Sequence, residues 1–567
     1  MQEVNWEPLK APVLFDVWPD DIPPLVQRWM QARELDSFEK FKEFTSFKLK
    51  DLSNPSILKD LDKAVGRLVE AFKAKETICL YGDFDMDGTP GVALLIRGLQ
   101  FCGFQKLLSF QPDRFDHGYG VHPEIIEDFI DSHNVSLFVT VDVGITDVKA
   151  VDVSNSKNVD VIITDHHQQK EKVPDAYAIV NPNQKGCESG LTYLCGTGVA
   201  FYLILGLRRK MTELGLLQKS FDPKLLLDCF AIGTLTDMVP LVKENRVLVQ
   251  HGMLQLARTQ RLGLQLLMER LKLKGKRLTS SDVSISFAPK LNALSRMQSR
   301  VQPIDIFLVS QRAEAEKKVD LVMEAQEQRV AIQKKGEAIV EEKLSNVESP
   351  RFAFEWSEEF HKGVVGLLAT KAMQKYQVPA IMGAVRGDKV VCSARAPQGT
   401  SLLPALEYCS DLLVKFGGHY QAAGLELELA NVEKFKEKLG EYYELNSEVK
   451  ERSFNYDAEA SLFELNDDFK GWLKKLEPYG MGFATPVLKL EHLFVASTRV
   501  LKEKHLKMTL KDVDGKKIDA LWFFAEDIDS LKKLTSQRVS VLAEPSINEY
   551  MGQESLQLFI KALKVEY

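Results

Sequence analysis

Three short apolar runs in the first half of the chain end in the same way. Thr77-Ile78-Cys79-Leu80-Tyr81, Ser136-Leu137-Phe138-Val139-Thr140-Val141 and Val159-Asp160-Val161-Ile162-Ile163 each lead into a polar cluster and then into a helix-compatible segment. Near-continuous apolar runs of this length are the pattern of parallel strands buried on both faces. Ahead of the first run, Ile57, Leu58, Leu61, Val65, Leu68, Val69 and Phe72 recur at helical spacing and predict a helix. A fourth apolar run, residues 225–232, followed by a turn at Gly233-Thr234-Leu235-Thr236-Asp237, closes an α/β region near residue 260.

Residues 305–347 are rich in Glu, Lys, Gln and Ala without proline. They predict one long exposed connecting helix that ends near Glu348-Ser349-Pro350. A second α/β segment follows, with strands expected at residues 351–355 and 389–392 and glycine turns at Gly363, Gly366, Gly399, Gly417 and Gly418. From about Ser453 the pattern becomes alternating. Residues 506–510 and 518–523 flank Asp514-Gly515, a hairpin signal, and residues 539–542 and 556–560 continue the series. Short strands over about 110 residues fit a small barrel such as an OB-fold.

The polar clusters are Asp83-Phe84-Asp85-Met86-Asp87-Gly88, Asp142-Val143-Gly144, Asp165-His166-His167 and Thr236-Asp237. In an open α/β sheet, residues just past the carboxyl ends of strands converge on one crevice, so the clusters predict one polar pocket. Carboxylates packed together need positive charge. A divalent cation supplies it, and oxygen donors with a few imidazoles suit Mn²⁺ or Mg²⁺ better than a structural zinc. The run Asp-x-Asp-x-Asp-Gly also opens a calcium EF-hand, but position twelve would then be Leu94 instead of an acid. Neither His-Glu-x-x-His nor Gly-x-x-x-x-Gly-Lys-Ser/Thr occurs, which removes a zinc hydrolase and a nucleotide-triphosphate loop. A lone aspartate at a strand end commonly caps a helix, a reading that stays open for Asp83 or Asp165 singly.

The chain has 567 residues, enough for three or four domains, and a formal net charge of −7, so no global attraction to a polyanion exists. Locally the balance differs. Residues 261–300 carry nine Lys or Arg against two acids, which predicts a basic strip beside the metal pocket. Seven cysteines are scattered without a Cys-x-x-Cys pair, as small core residues in a reducing cytoplasm would be. The opening residues show neither a basic nor an apolar leader, and no run approaches 18 apolar residues, so neither a secretion signal nor a membrane span is expected.

The triplet Asp165-His166-His167, with Tyr81-Gly82-Asp83-Phe84-Asp85-Met86-Asp87-Gly88, resembles the DHH phosphoesterase superfamily and, within it, the RecJ single-strand-specific exonucleases. Further motifs in order are similar to that family: Arg114-Phe115-Asp116-His117-Gly118-Tyr119-Gly120, Cys195-Gly196-Thr197-Gly198, residues 233–241, Asn292-Ala293-Leu294-Ser295-Arg296, and Phe416-Gly417-Gly418-His419 before Ala422-Ala423-Gly424. One position departs, because Ser295 stands where the family usually has glycine. The resemblance implies an N-terminal extension (1–50), a DHH catalytic domain with a parallel sheet (51–262), the basic strip and connecting helix (263–347), a DHH-associated α/β domain (348–452) and a C-terminal all-β OB-fold (453–567).

It also implies two ions, Mn²⁺ or Mg²⁺, held by Asp85, Asp87, Asp142, His166 and Asp237. Asp83 and His167 serve the second ion or its inner support, and Asp165 orients His166 from behind. No covalent nucleophile is needed, and Thr164 and Thr236 have no base partner in sequence. Arg114, Ser393 and Arg395 are the implied pocket for a terminal 5′ phosphate. Asn292 and Arg296 would contact the backbone near the cut, Gly417 and Gly418 would let backbone amides approach a phosphate beside His419, and Tyr119 would stack on a base. The implied activity is 5′→3′ degradation of single-stranded DNA to mononucleotides in recombination and repair, by a cytoplasmic monomer served by a single-strand-binding protein or a helicase. Two alternatives stand beside it: a phosphodiesterase acting on short oligonucleotides or cyclic dinucleotides, and a non-catalytic scaffold of the same fold. Seven Lys or Arg against three acids between Arg499 and Lys517 favour long strands.

Overall fold

The computed structural model describes residues 5–9, 18–345, 350–397, 399–418, 420–446, 453–502, 505–525, 528–550 and 552–566. Near the amino end lie β1 (Asn5–Pro8), α1 (Pro24–Ala32) and α2 (Phe38–Ser46). The predicted helix before the first strand is α3 (Leu61–Ala74); it starts later than its apolar spacing suggested, because Pro55–Ile57 forms a separate 3₁₀ turn. Then come β2 (Ile78–Gly82), α4 (Gly88–Phe101), β3 (Leu107–Phe110), α5 (Pro123–His133), β4 (Leu137–Val141), α6 (Val148–Ser156), β5 (Asp160–Thr164), β6 (Ala178–Val180) and α7 (Gly196–Glu213).

The five strands form one parallel sheet in the order β3-β2-β4-β5-β6. Every residue of β2 and β4 is buried, as central strands covered on both faces must be. Alternate side chains separate the two cores. Ile78, Leu80, Val139 and Ile162 pack with α3, α4 and α7, whereas Cys79, Tyr81, Phe138 and Val161 pack with α5 and α6. The fourth apolar run is not strand-like: it lies in α8 (Leu227–Thr236), and Gly233 to Thr236 form that helix's last turn. Periodicity could not tell the two apart, because Cys229, Phe230, Ala231 and Ile232 are all fully buried and leave no polar face.

After α9 (Lys243–Ala257), the expected basic strip folds into α10 (Leu262–Arg270), a π-helical stretch Asp282–Phe287, and α11 (Ala288–Arg296). Its charges disperse. Arg261 pairs with buried Asp228, Arg270 with Asp320 and Lys274 with Glu269, so no continuous strip borders the pocket. The connecting helix begins later than expected, since α12 (Pro303–Leu308) stops and α13 (Arg312–Leu344) starts again. Nor is α13 exposed throughout: Ala315, Val319, Val322, Ala325, Val340 and Leu344 form a buried stripe.

The second α/β module holds β7 (Ala353–Ser357), α14 (Val365–Tyr376), β8 (Ala380–Arg386), β9 (Lys389–Arg395), α15 (Leu403–Tyr408), β10 (Lys415–Gly418), β11 (Ala422–Glu428) and α16 (Val432–Asn446). Its sheet order is β10-β11-β9-β8-β7, parallel only between β7 and β8. Two expected glycine turns are not turns: Gly366 lies in α14, and Gly417-Gly418 end β10.

β12 (Ser453–Tyr456), β13 (Ala458–Glu459) and α17 (Asp467–Lys475) lead into the barrel. There β14 (Leu488–Leu501), β15 (His505–Lys511), β16 (Lys517–Phe523), β17 (Arg538–Tyr550) and β18 (Gln553–Val565) run in the order β13-β14-β15-β16-β18-β17, and a β14–β17 pairing closes it. The Asp514-Gly515 hairpin joins β15 to β16 as its turn signal predicts. The N-terminal helices pack here: Trp18, Trp29 and Phe41 share one core with Phe469, Leu473 and Phe483, and β1 pairs with β12. Arg246, Gln250 and Leu241 of the first α/β module bond the backbone at Pro478, Glu477 and Met481. Among the described residues no helix is long and apolar enough to cross a membrane. All seven cysteines are free, and only Cys187 is less than buried.

Candidate active site

β2 ends at Gly82, and the chain returns through Asp83 to Asp87 into α4. Gly88 permits the return, because a Cβ there would lie 2.4 Å from the Asp83 carbonyl oxygen. Asp85 Oδ1 accepts from the backbone N–H groups of Asp87 (2.8 Å) and Gly88 (3.0 Å), which fixes the turn. Asp87 is held across the module: its Oδ2 accepts from Gly196 N–H (2.6 Å) and its Oδ1 from Thr197 N–H (2.9 Å). Those are the first N–H groups of α7, unpaired within the helix and at its positive end. β4 presents Asp142 in a left-handed conformation, φ +63°, uncommon outside glycine.

β5 presents Asp165, which is fully buried and saturated. It accepts from the N–H groups of Ile145 (3.0 Å), His166 (2.7 Å) and His167 (3.0 Å), and lies 2.8 Å from His167 Nδ1. The expectation that Asp165 orients His166 is therefore met only at the backbone, since its ring contact goes to His167. Asn183 and Asn181 hold the carbonyls of His166 (2.5 Å) and His167 (2.9 Å). His166 Nε2 then lies 3.1 Å from Asp142 Oδ1, 3.6 Å from Asp237 Oδ2 and 3.8 Å from Asp87 Oδ2. Asp237 arrives from the end of α8.

Three sets of side chains offer donor atoms within 4.8 Å of one another: Asp142, His166 and His167; Asp87, His166 and Asp237; Asp83, Asp85 and Asp142. Asp83 Oδ1, Asp142 Oδ1, His166 Nε2 and Asp237 Oδ2 are buried and make no hydrogen bond. Such orphaned atoms are expensive unless something binds them. Burial and neighbouring carboxylates push Asp83 and Asp142 well above the usual range, and Asp237 up to about 9. Burial lowers His166; in His167 burial is outweighed by the Asp165 hydrogen bond together with the charges of Asp165, Asp237 and Asp87, which raise it to about 9. The cluster thus carries more negative charge than its surroundings neutralise. Its oxygen-rich, two-imidazole donor set fits two hard divalent cations.

A cleft of about 300 Å³ is lined by Asp83, Asp85 and Asp87 together with Arg114, Thr236, Asn292 and Arg296. The Arg114 guanidinium lies 5.2 Å over the Phe84 ring. Arg296 ends α11 and donates to Gly363 carbonyl (3.0 Å), which ties this helix to the second module. There Ser393 Oγ and Arg395 Nη2 face the first turn of α14, 3.5 and 3.4 Å from where a Gly366 Cβ would stand. Burial, aided by the charges of Arg114, Arg329 and Arg395, lowers Arg296 to about 9; burial and Arg114 also lower Arg395. Guanidiniums gathered from two modules beside an acidic cluster have the chemistry to hold an anion.

Other expected residues resolve individually. Tyr119 is 51% exposed at the cluster's edge, with its hydroxyl 3.3 Å from His167 Nδ1 and its ring in a T-shaped contact with that imidazole. Phe115 instead packs against His361, under Lys362. Ser295 sits inside α11, where its hydroxyl bonds the Asn292 carbonyl (3.1 Å), so the departure from glycine leaves the helix regular. Gly417 has open space where a Cβ would stand, and Gly418 has φ +148°. His419 lies outside the described residues. Thr236 Oγ1 donates to Met86 carbonyl (2.7 Å) and Thr164 Oγ1 to Thr140 carbonyl (2.5 Å), so neither hydroxyl faces a base. Reading the residues missed the backbone amides of Gly196 and Thr197, and Asn181 and Asn183, as supports of the cluster. The Gly-Thr-Gly at a helix start is the visible signal of those two amides.

Family models match in three segments: the DHH family N-terminal domain over residues 77–234, the DHHA1 domain over 349–445 and the RecJ OB domain over 456–562. The single-stranded-DNA-specific exonuclease RecJ of Salmonella typhimurium is 32% identical over 559 residues, covering 96% of each chain. The chain belongs to the RecJ family. The RecJ of Escherichia coli is 31% identical over 96% of each chain. The solved RecJ of Thermus thermophilus in complex with Mn²⁺ superposes with a TM-score of 0.79 at 26% identity, over 99% of this chain and 79% of that one. A second structure, exonuclease RecJ bound to manganese, matches at 30% identity and a TM-score of 0.58 over 68% of this chain and 95% of that one.

Proposed function

We propose that this RecJ-family chain is a 5′→3′ exonuclease that degrades single-stranded DNA to mononucleotides by two-metal phosphodiester hydrolysis, in cytoplasmic recombination and repair. One observation carries the reading: Asp83, Asp85 and Asp87 line the same cleft as Arg114 and Arg296, and behind them lie Asp142, His166 and Asp237 in a cluster with four orphaned atoms. We assign Asp85, Asp87, Asp142, His166 and Asp237 as ligands of two ions, Mn²⁺ or Mg²⁺, with Asp83 and His167 at the second ion. When bound, such ions activate a water and stabilise the attacking and leaving oxygens of an in-line displacement.

The chain's own groups do the positioning. Asp165 fixes both histidines, and the α7 N–H groups fix Asp87, so little reorganisation is left for the reaction itself. Arg114, Ser393 and Arg395 take the terminal 5′ phosphate, which anchors the strand on the second module and brings the next phosphodiester to the acids of the first. An anchored 5′ end cut at the next phosphodiester gives mononucleotides and 5′→3′ polarity. Asn292 and Arg296 contact the backbone near the cut, Gly417, Gly418 and His419 the neighbouring phosphate, and Tyr119 stacks on a base.

The domain limits 1–50, 51–262, 263–347, 348–452 and 453–567 belong to this reading, as do a monomeric state and service by a single-strand-binding protein or a helicase. The short-substrate alternative has less support, because the barrel adds basic positions such as Arg499 and Lys507 that a dinucleotide would not need. The scaffold alternative gives no chemical use to the orphaned cluster. The test is hydrolysis of a 5′-phosphorylated single strand by the purified full chain with Mn²⁺. Mononucleotides released from the 5′ end support the reading, and release from the 3′ end refutes it.

A further inference from the structure

One cation beside the cleft has no role in that reading. Arg329 is half-buried in the middle of α13, where that helix packs on α11. Its Nη1 donates to Gln333 Oε1 (2.6 Å) and its Nε to Gln326 Oε1 (3.1 Å). Both braces are neutral amides. Elsewhere on α13 cations meet carboxylates: Arg312 pairs with Glu316 (2.9 Å), Lys318 with Glu314 (2.8 Å) and Lys335 with Glu359 (2.6 Å). Glu337, one turn beyond Gln333 and the carboxylate whose charge reaches Arg329, is kept at one remove, because Gln333 Nε2 donates to it (2.7 Å).

A carboxylate at 326 or 333 would hold the guanidinium as firmly and cancel its charge. An amide holds it and leaves the charge available. The neighbours compound this. Arg329 stands close enough to Arg296 to disfavour that residue's positive charge, and it does the same to Lys290 on α11, which burial already lowers. Arg296, which lines the cleft, and Lys290 lie on the same helix, α11, against which α13 sets Arg329, so the cations extend from the cleft along this helix pair. Like charges held together in a partly buried place destabilise the empty protein, and an anion lying along them relieves the repulsion.

We infer that Arg329, oriented by Gln326 and Gln333 beside Arg296, contacts an internal backbone phosphate of the bound strand, with Lys290 next along the same line. The inference rests on the exonuclease reading of the cleft. The test uses the full chain with Arg329→Gln and, separately, Gln333→Glu, which keeps the arginine and neutralises it. Binding of a 5′-phosphorylated single strand is measured by anisotropy across a salt series, with chelator present so that nothing is cut. Both variants should weaken binding about tenfold at low salt. Both should also make the log–log salt slope shallower by about 0.7, the value for one lost phosphate contact on a single strand. The parent's preference for a 5′ phosphate over a 5′ hydroxyl should persist in each.

If Gln333→Glu binds like the parent while Arg329→Gln weakens, Arg329 is a helix brace and the inference is wrong. If a folded pair of variants both match the parent, Arg329 touches no phosphate. A parent that binds no single strand refutes the exonuclease reading and this assignment with it, whereas a binding parent matched by its variants refutes the assignment alone.

Discussion

Gly196→Ala probes the candidate metal cluster without removing any of its donors. A Cβ at 196 would stand 2.5 Å from Asp142 Cβ, 2.7 Å from its Oδ1 and 2.8 Å from its Cα. The first of these falls 0.9 Å short of the 3.4 Å at which ordinary contact begins. Two of the three atoms cannot rotate away, and Asp142 already has a left-handed backbone, so the start of α7 or the end of β4 must move. The same step shifts the Gly196 N–H that holds Asp87. Overpacking of this kind costs about 1–3 kcal/mol of stability. A displacement near 1 Å at reacting groups costs about 10²-fold in rate. Gly198→Ala is the control, since its Cβ would meet Leu194 at 3.3 Å and Phe230 at 3.5 Å. The assay is Mn²⁺-dependent release of nucleotides from a 5′-labelled single strand, with thermal melting alongside. Gly196→Ala should melt a few degrees lower and turn over about 100-fold more slowly, while Gly198→Ala stays within a few-fold of the parent. A folded Gly196→Ala protein within threefold of parental turnover would refute the placement of Asp142 and Asp87 at the reaction.

Other consequences are as direct. Asp142→Ala and His166→Ala should each lower turnover by about 10³-fold or more, roughly 4 kcal/mol of barrier, while circular dichroism stays native; activity within tenfold of the parent would sink the ligand assignment. Chelation should stop hydrolysis, and Mn²⁺ should restore it at lower concentration than Mg²⁺ because imidazole donors suit the softer ion. Asp83, Asp142 and Asp237 titrate above the usual carboxylate range, Asp237 near 9, so protons compete with the ions and apparent Mn²⁺ affinity should rise from pH 6 toward 9. The sign for the metal-free protein is opposite. Its raised carboxylates favour folding fully below the unfolded pKa, and that contribution is lost as pH rises through the folded values, so melting in chelator should drop over the same window; a flat profile in both titrations would contradict it. Arg395→Ala should shrink the rate advantage of a 5′ phosphate over a 5′ hydroxyl about tenfold, the scale of a charged hydrogen bond, and an unchanged ratio would remove Arg395 from the pocket.

Much of this site is legible in the residues because its parts sit at strand ends. A buried parallel strand announces itself as an apolar run, and its carboxyl end sets where the next polar residue lies, so the residues alone bring Asp83, Asp142 and Asp165 to one edge of the sheet. Asp237 reaches His166 from a helix: its apolar lead is α8, buried on all sides with no amphipathic period to display. What stayed hidden are partnerships across long separations. Nothing local to Asp87 says that its carboxylate will be held by N–H groups 109 and 110 residues away. Counting charges in residues 261–300 likewise misled, because Arg261 and Arg270 find acids in other helices and only Arg296 reaches the cleft. The N-terminal helices carry no signal that they complete the barrel's core, since their apolar faces fit any apolar partner.

The central claim is that the acid cluster and the arginine pocket act together on the 5′ end of a single strand. Product analysis on the same oligonucleotide labelled at its 5′ end or its 3′ end, with Mn²⁺ and with chelator, tests it most directly. The account predicts that with Mn²⁺ the 5′ label appears at once as mononucleotide while the 3′-labelled strand shortens progressively, and that chelator leaves both intact. Mononucleotide released first from the 3′ label, or hydrolysis that persists in excess chelator, would contradict it.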